Sequence, residues 1–244
     1  MEKGKKKRKG AGWGILLFSF GALLGLVLAL FMIWADTEAR LFDPSMSGES
    51  ALGIRCPALM GRGERVTASA SFNNPLDRDV RYVIRTNVSE GHVTLMRQLD
   101  AQLPLAPGES QRLEWEVTSE DAAYGLFALV KVHLFGLYPL PARQGSCGIV
   151  FVDLPLPGIV IFGAALALVF LSMGGGYLLW FRASRPLTES ALDISRAMVV
   201  LGALVVLGLF LGLVNIWMLG IVVLAISVVL IVVLLGYRLE KQRN

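Results

Sequence analysis

The chain is 244 residues long, 55% hydrophobic and only 17% charged, and its mean hydropathy of +0.61 excludes an ordinary water-soluble globule and a disordered polyelectrolyte. Its net charge of +4 is unevenly spread: residues 36–155 carry eleven Lys/Arg against fifteen Asp/Glu, while the rest of the chain carries twelve against four. The basic excess therefore sits in short segments beside apolar stretches, which points to anionic lipid headgroups as the partner and not to nucleic acid.

Residues 1–12 form a basic tail with Lys3, Lys5, Lys6, Lys7, Arg8 and Lys9. Residues 13–35 follow as a first expected transmembrane helix, marked at its ends by Trp13 and Trp34, whose indole rings favour the headgroup zone. Its apolar core runs about twenty residues, longer than the 7–15 of a cleaved signal peptide, so it reads as a retained signal anchor.

Residues 36–53 contain Pro, Gly and Ser without a period and predict an extended lead into a polar domain, residues 36–156. Val66, Ala68, Ala70 and Phe72 alternate with polar or small neighbours until Asn73, Asn74, Pro75 and Asp77 supply turn chemistry. Val80, Tyr82, Ile84, Thr86 and Val88 alternate next, then Leu113, Trp115 and Val117, each run predicting a half-buried strand. Residues 125–135 and 148–152 are more uniformly apolar and predict central strands, with Gly136, Pro139, Pro141 and Gly145 between them. About seven short strands without an amphipathic helix indicate an antiparallel β-sandwich.

Residues 157–181 are the second expected transmembrane helix, entered through the stiff sequence Pro155-Leu156-Pro157. Residues 182–196 form a short basic loop in which Asp193 is a candidate N-cap. Residues 197–236 then hold no formally charged side chain. A continuous helix of that length would be about 60 Å long, twice the hydrocarbon thickness of about 30 Å, so the chain must fold back near Asn215. The third and fourth transmembrane helices are thus expected at residues 197–214 and 216–237, followed by a basic tail at 238–244. The positive-inside rule places both termini and the 182–196 loop in the cytoplasm of a multi-pass cell-membrane protein, with residues 36–156 extracytoplasmic.

Three segments carry a resemblance. N-N-P-L-D-R-D-V at 73–80, L-A-P-G-E-S-Q-R-L-E-W-E-V at 105–117 and A-A-Y-G-L-F-A-L-V-K-V at 122–132 resemble the immunoglobulin-like modules of prokaryotic surface proteins, of the fibronectin or CARDB kind. The resemblance covers residues 60–135 and implies an Ig-like sandwich. Such modules host adhesion, carbohydrate and assembly roles alike, so it implies no one function.

Cys56 and Cys147 bracket the domain in a compartment that permits oxidation and are a candidate disulfide closing a loop of about ninety residues. A cupredoxin-type copper site needs two imidazoles and a thiolate, commonly clustered on one loop, whereas Cys147 is followed by Gly-Ile-Val-Phe-Val-Asp, and His92 and His133 are far apart and read as surface residues. No nucleophile elbow is present, and the pairs Asp77/Asp79 and Glu114/Glu116 read as solvated surface, so no catalytic, cofactor or metal residue is assigned. Asn87-Val88-Ser89 fits a glycosylation triplet.

The four apolar segments lack the charges that proton relays and ion pathways place inside a membrane. They do have small residues at packing spacing: Gly21/Gly25, Gly208/Gly212 and the run Gly174, Gly175, Gly176. These are candidate helix-packing positions, within the bundle or toward a membrane-protein partner or second copy. The leading expectation is a non-enzymatic accessory, assembly or scaffolding subunit of a membrane complex. The alternatives are a component of a transporter or channel, testable by liposome flux, and an ectodomain ligand sensor acting through a cytoplasmic partner.

Overall fold

The computed structural model describes residues 2–45, 48–185 and 188–243, with side chains over 10–45, 48–185, 188–189 and 191–233. The chain divides into two compact units, one of Met1–Ile33 with Gly163–Asn244 and one of Trp34–Phe162.

The first unit is helical, built from α1 (Glu2–Leu41), α2 (Gly158–Ala183), α3 (Glu189–Leu213) and α4 (Trp217–Arg243), with one end each of α1 and α2 belonging to the second unit. Three helices are long and apolar enough to cross a membrane, over Gly10–Leu41, Gly158–Ala183 and Ala191–Leu213, and α4 holds a shorter apolar stretch, Trp217–Val233. Between α3 and α4 the chain reverses at Asn215, whose φ of 61° is the left-handed conformation that ends many helices. Asn tolerates that conformation better than most residues, so the one strongly polar residue of the apolar stretch stands where the length requires a turn.

Several boundaries differ from the sequence reading: α1 already begins at Glu2 and α4 runs to Arg243, so the helices extend into both expected basic tails. Residues 36–41 are not an extended lead: they complete α1, because Thr37-Glu-Ala-Arg-Leu contains good helix formers and nothing that breaks a helix. The third helix starts at Glu189 after Thr188 in extended conformation, so Asp193 is not the cap; it lies inside the helix, 3.8 Å from Arg196 in an i,i+3 pair. Residues 186 and 187 of the expected 182–196 loop lie outside the described residues.

The second unit is two facing sheets. Its strands are β1 (Ser50–Ala51), β2 (Ile54–Arg55), β3 (Leu59–Gly61), β4 (Arg65–Asn73), β5 (Val80–Glu90), β6 (His92–Leu105), β7 (Ser110–Thr118), β8 (Ala122–Ala123), β9 (Phe127–Leu134) and β10 (Arg143–Val152). The larger sheet runs β1-β10-β9-β5-β6, with β3 also on β10 and β8 on β9; the smaller runs β2-β4-β7. Pairing is antiparallel except that β1 and β3 join β10 in parallel, so the expected all-antiparallel sandwich holds only for the longer strands. The strand β6 was not legible in the sequence. It is an edge strand paired only with β5 and most of its side chains are exposed, so little apolar alternation marks it.

The alternating residues of both sheets meet in one core, with Phe72 and Val117 from the smaller sheet against Ile84, Val130 and Ile149 from the larger, and Trp115 among them. Every residue of β9 is buried, those of its outer face included. This explains why its sequence reads as continuously apolar: the last turns of α1 lie over the outer face.

Candidate functional site

The feature that most constrains function is the way the second unit holds the ends of its two helices. Residues 34–43 lie on the outer face of β9 and β10. Gly148 of β10 lets the helix come this close, since a Cβ there would run into the backbone of Ala35. Trp34 packs on Phe127 with ring centroids 5.5 Å apart, and the backbone N–H of Gly148 donates to the buried carboxylate of Asp36 at 3.2 Å.

A helix C-terminus leaves its last carbonyls without intrahelical donors. Here Lys131 of β9 supplies them: its Nζ donates to the carbonyls of Phe42 at 2.7 Å, Asp43 at 2.8 Å and Arg40 at 3.4 Å. Lys131 is 3% exposed, and burial pushes its ammonium below the usual lysine value, with Asp43 acting in the opposite sense. Asp43 closes the turn with φ 44°, and its Oδ2 accepts from Asn87 Nδ2 at 2.6 Å.

The start of α2 is held by the opposite charge. Glu64 Oε2 accepts the backbone N–H of Gly158 at 2.6 Å and that of Gly61 at 2.8 Å. A cation at the C-terminus of one helix and a carboxylate at the N-terminus of the other both match the helix macrodipole. The sequence reading missed this pair. Its one available signal was a Lys within a strand that is apolar apart from it and His133.

The two cysteines are joined. Cys56, just after β2, bonds Cys147 on β10, with Cα atoms 6.4 Å apart, so the bridge links the two sheets. His133 corrects the expectation of a surface residue: it is 7% exposed, stacked edge-on against Phe135 at 4.7 Å, and its Nδ1 has no hydrogen-bond partner. Burial lowers its pKa first, and the positive charges of Arg85 and Lys131 add to the effect. His92 lies elsewhere, at the start of β6, with its ring 6.4 Å from that of Tyr124. The structure thus brings neither histidine to the other, and among the described residues no group of three or more His, Cys, Asp or Glu could hold a metal. Asn87 is 2% exposed and its Nδ2 donates to Asp43, so the folded domain has no room for a glycan there.

The far end of the sandwich has a cavity of about 290 Å³ lined by Asn73, Pro75, Tyr82, Phe135, Leu140 and Arg143 among others. Two of its polar groups are engaged elsewhere: Tyr82 donates to the Asn73 carbonyl at 3.0 Å and Arg143 to that of Ala51 at 3.2 Å. No nucleophile stands beside a base there.

The glycines singled out in the helices divide into two kinds. A Cβ on Gly21 would lie 2.8 Å from Ser172 Cβ, and one on Gly25 would fall between Val205 and Val169. Gly176 faces the backbone of Gly14 and Phe18, while Gly212 would meet Met32 at 3.1 Å. Gly208 is looser, 3.6 Å from Ala29, Gly175 has only Leu17 at 3.8 Å, and Gly174 faces nothing within 4 Å.

No family model matches the chain, and no curated protein matches it. Among solved structures it is similar in part to Bacteroides uniformis β-glucuronidase 2, at 15% identity over 41% of this chain and 13% of that one, with a TM-score of 0.32. It is similar to a CARDB domain from Pyrococcus furiosus at 11% identity, covering 43% of this chain and 89% of that one, with a TM-score of 0.32. It is similar to a β-glucosidase from Listeria innocua at 18% identity over 44% of this chain and 17% of that one, with a TM-score of 0.29. The chain thus spans well under a fifth of the length of either glycosidase.

Proposed function

We propose that this protein is a non-enzymatic, four-span membrane protein that presents an Ig-like sandwich at the outer surface of the membrane, as an accessory, assembly or scaffolding subunit of a membrane complex. The observation that carries this reading is the double fastening of the sandwich, Lys131 on the end of α1 and Glu64 on the start of α2. A domain that only had to be tethered would need a flexible linker; one that must be held in a fixed attitude for a partner needs buried polar contacts at both attachments. The apolar helices support it further, since residues 13–35, 158–181 and 197–233 within them hold no charged side chain for a transported ion.

Purification in mild detergent followed by mass spectrometry tests the reading. A specific co-purifying membrane protein is the expected result. A monodisperse preparation with no partner, from cells grown at native expression, overturns the accessory role.

A further inference from the structure

The end of the second unit from which both apolar helices leave carries an unusual rim. Here β5 ends and β6 begins, around Gly91; β9 begins after the turn at Tyr124 and Gly125; and β10 ends before Leu154 and Leu156. Large apolar side chains are concentrated on this rim: Tyr124 is 65% exposed, Leu95 54% and Leu156 50%, with Leu126 and Leu154 also open, beside the exposed polar groups Glu90, His92 and Asp153.

Tyr124 is the informative residue. Its φ is +56°, a left-handed conformation that costs a non-glycine residue about 1 kcal/mol or more. The surroundings impose it: the Tyr124 N–H donates to the Gly91 carbonyl at 3.0 Å, and the N–H groups of Gly125 and Leu126 donate back to Ala122 and Ala123. The His92 ring meets the Tyr124 ring nearly edge-on. A strained backbone that holds an aromatic ring out of the core gains nothing in water, where the same ring would be better buried.

We infer that this rim, centred on Tyr124 and flanked by Leu95, Leu126 and Leu156, seats in the headgroup–acyl boundary of the lipid bilayer. The inference rests on the proposed reading of α1 and α2 as membrane spans. The occupant follows from the chain itself. β10 ends at Val152 in the rim and α2 begins only six residues on at Gly158, whose N–H is held by Glu64 at 2.6 Å and where a Cβ would run into the Leu59 backbone, so the first turn of the proposed span starts at the rim itself. The composition fits that zone, which favours a tyrosine with an apolar body and a polar tip, and leucines beside it. Of the charges bordering the rim, Arg62 and Asp153 are ion-paired with each other, while Glu90 stands exposed at the end of β5.

The test uses the full chain in lipid nanodiscs. The described cysteines are both in the disulfide, so single introduced cysteines can be spin-labelled without altering the native pair. Labels go at Leu126→Cys, Leu156→Cys and Leu95→Cys in the rim, at Tyr138→Cys in the exposed far-end loop, and at Val206→Cys in α3. The expected result is a ratio of oxygen to nickel-chelate accessibility several-fold higher at the three rim positions than at Tyr138→Cys, approaching that at Val206→Cys. Rim ratios equal to that of Tyr138→Cys overturn the inference while leaving the spans standing. Exclusion of both reagents from the rim overturns it in favour of a protein contact. A water-like ratio at Val206→Cys overturns the membrane reading itself, and the rim with it. Using three rim positions means that one misfolded variant does not decide the outcome.

Discussion

Lys131 Nζ donates to the carbonyl of Phe42 at 2.7 Å, across 89 residues of sequence, and so fastens the last turn of α1 to the outer face of a sheet. Phe42 is fully buried, so its carbonyl has no water to turn to if the lysine is lost. Lys131→Met keeps the length and removes the donors; it should lower stability by about 1–3 kcal/mol, the cost of leaving buried acceptors unmet. Hydrogen exchange localises the effect: protection should fall first in residues 37–43. Unchanged exchange there would show that the ammonium does not hold the helix end.

At the other attachment, Glu64→Gln leaves an acceptor for the N–H groups of Gly61 and Gly158 but removes the charge facing the α2 dipole. A loss of about 0.5–2 kcal/mol is expected, partly relieved in the glutamine variant relative to Glu64→Ala. Chemical denaturation of the detergent-solubilised protein measures both variants, and equal stability of wild type and alanine variant would contradict the capping role.

The Cys56–Cys147 bridge closes a loop of 91 residues between two sheets. The chain-entropy relation gives about 4–5 kcal/mol for that length. The double serine variant should therefore unfold at markedly lower urea concentration, and mass analysis after alkylation should find two protected thiols in the unreduced wild type. Two alkylated thiols without reductant would remove the bridge from the account.

His133 makes stability depend on pH in a definite sense. Its folded pKa lies below the ordinary imidazole value because burial, Arg85 and Lys131 all disfavour the charge. The unfolded chain therefore binds the extra proton more readily, and stability contributed by the neutral ring is present above the unfolded pKa and lost as pH falls below about 6.5 toward the folded value. Comparing melting temperatures of wild type and His133→Gln across this range isolates the effect from that of the carboxylates. The two should diverge less at low pH than at high pH, and a constant difference would refute it.

Gly176 and Gly174, two residues apart on α2, should respond oppositely to enlargement. Gly176→Leu drives a side chain into the backbone of Gly14 and Phe18 and should cost about 1–3 kcal/mol or more by overpacking. A Cβ added at Gly174 meets nothing within 4 Å, so Gly174→Leu should melt close to the wild type. If Gly174→Leu nevertheless loses a co-purifying partner, that face of α2 is where the partner docks.

Much of the architecture was legible in the residues themselves, because the signals involved are local. The lack of charge over 197–236 and the single Asn215 forced a helix reversal, and the structure has it at that residue. The alternation around Val66, Ile84 and Trp115 marked strands whose inward residues form the core. Other features depended on partners remote in the chain. Residues 36–41 look like a linker until Lys131 completes their helix. β6 carries no apolar stripe because an edge strand has little to bury.

What the sequence by itself determined is the division into charge-poor helices and a strand-rich polar unit, since transfer from water depends on composition and period over a dozen or so neighbouring residues. Only the tertiary structure decided how the polar unit is fastened. Whether Lys131 is a surface charge or a helix cap, His133 a solvent-facing ring or a buried one, and Tyr124 a core aromatic or an exposed one is fixed by what folding brings opposite each of them. Desolvation and hydrogen bonding act at that range and leave no period in the sequence.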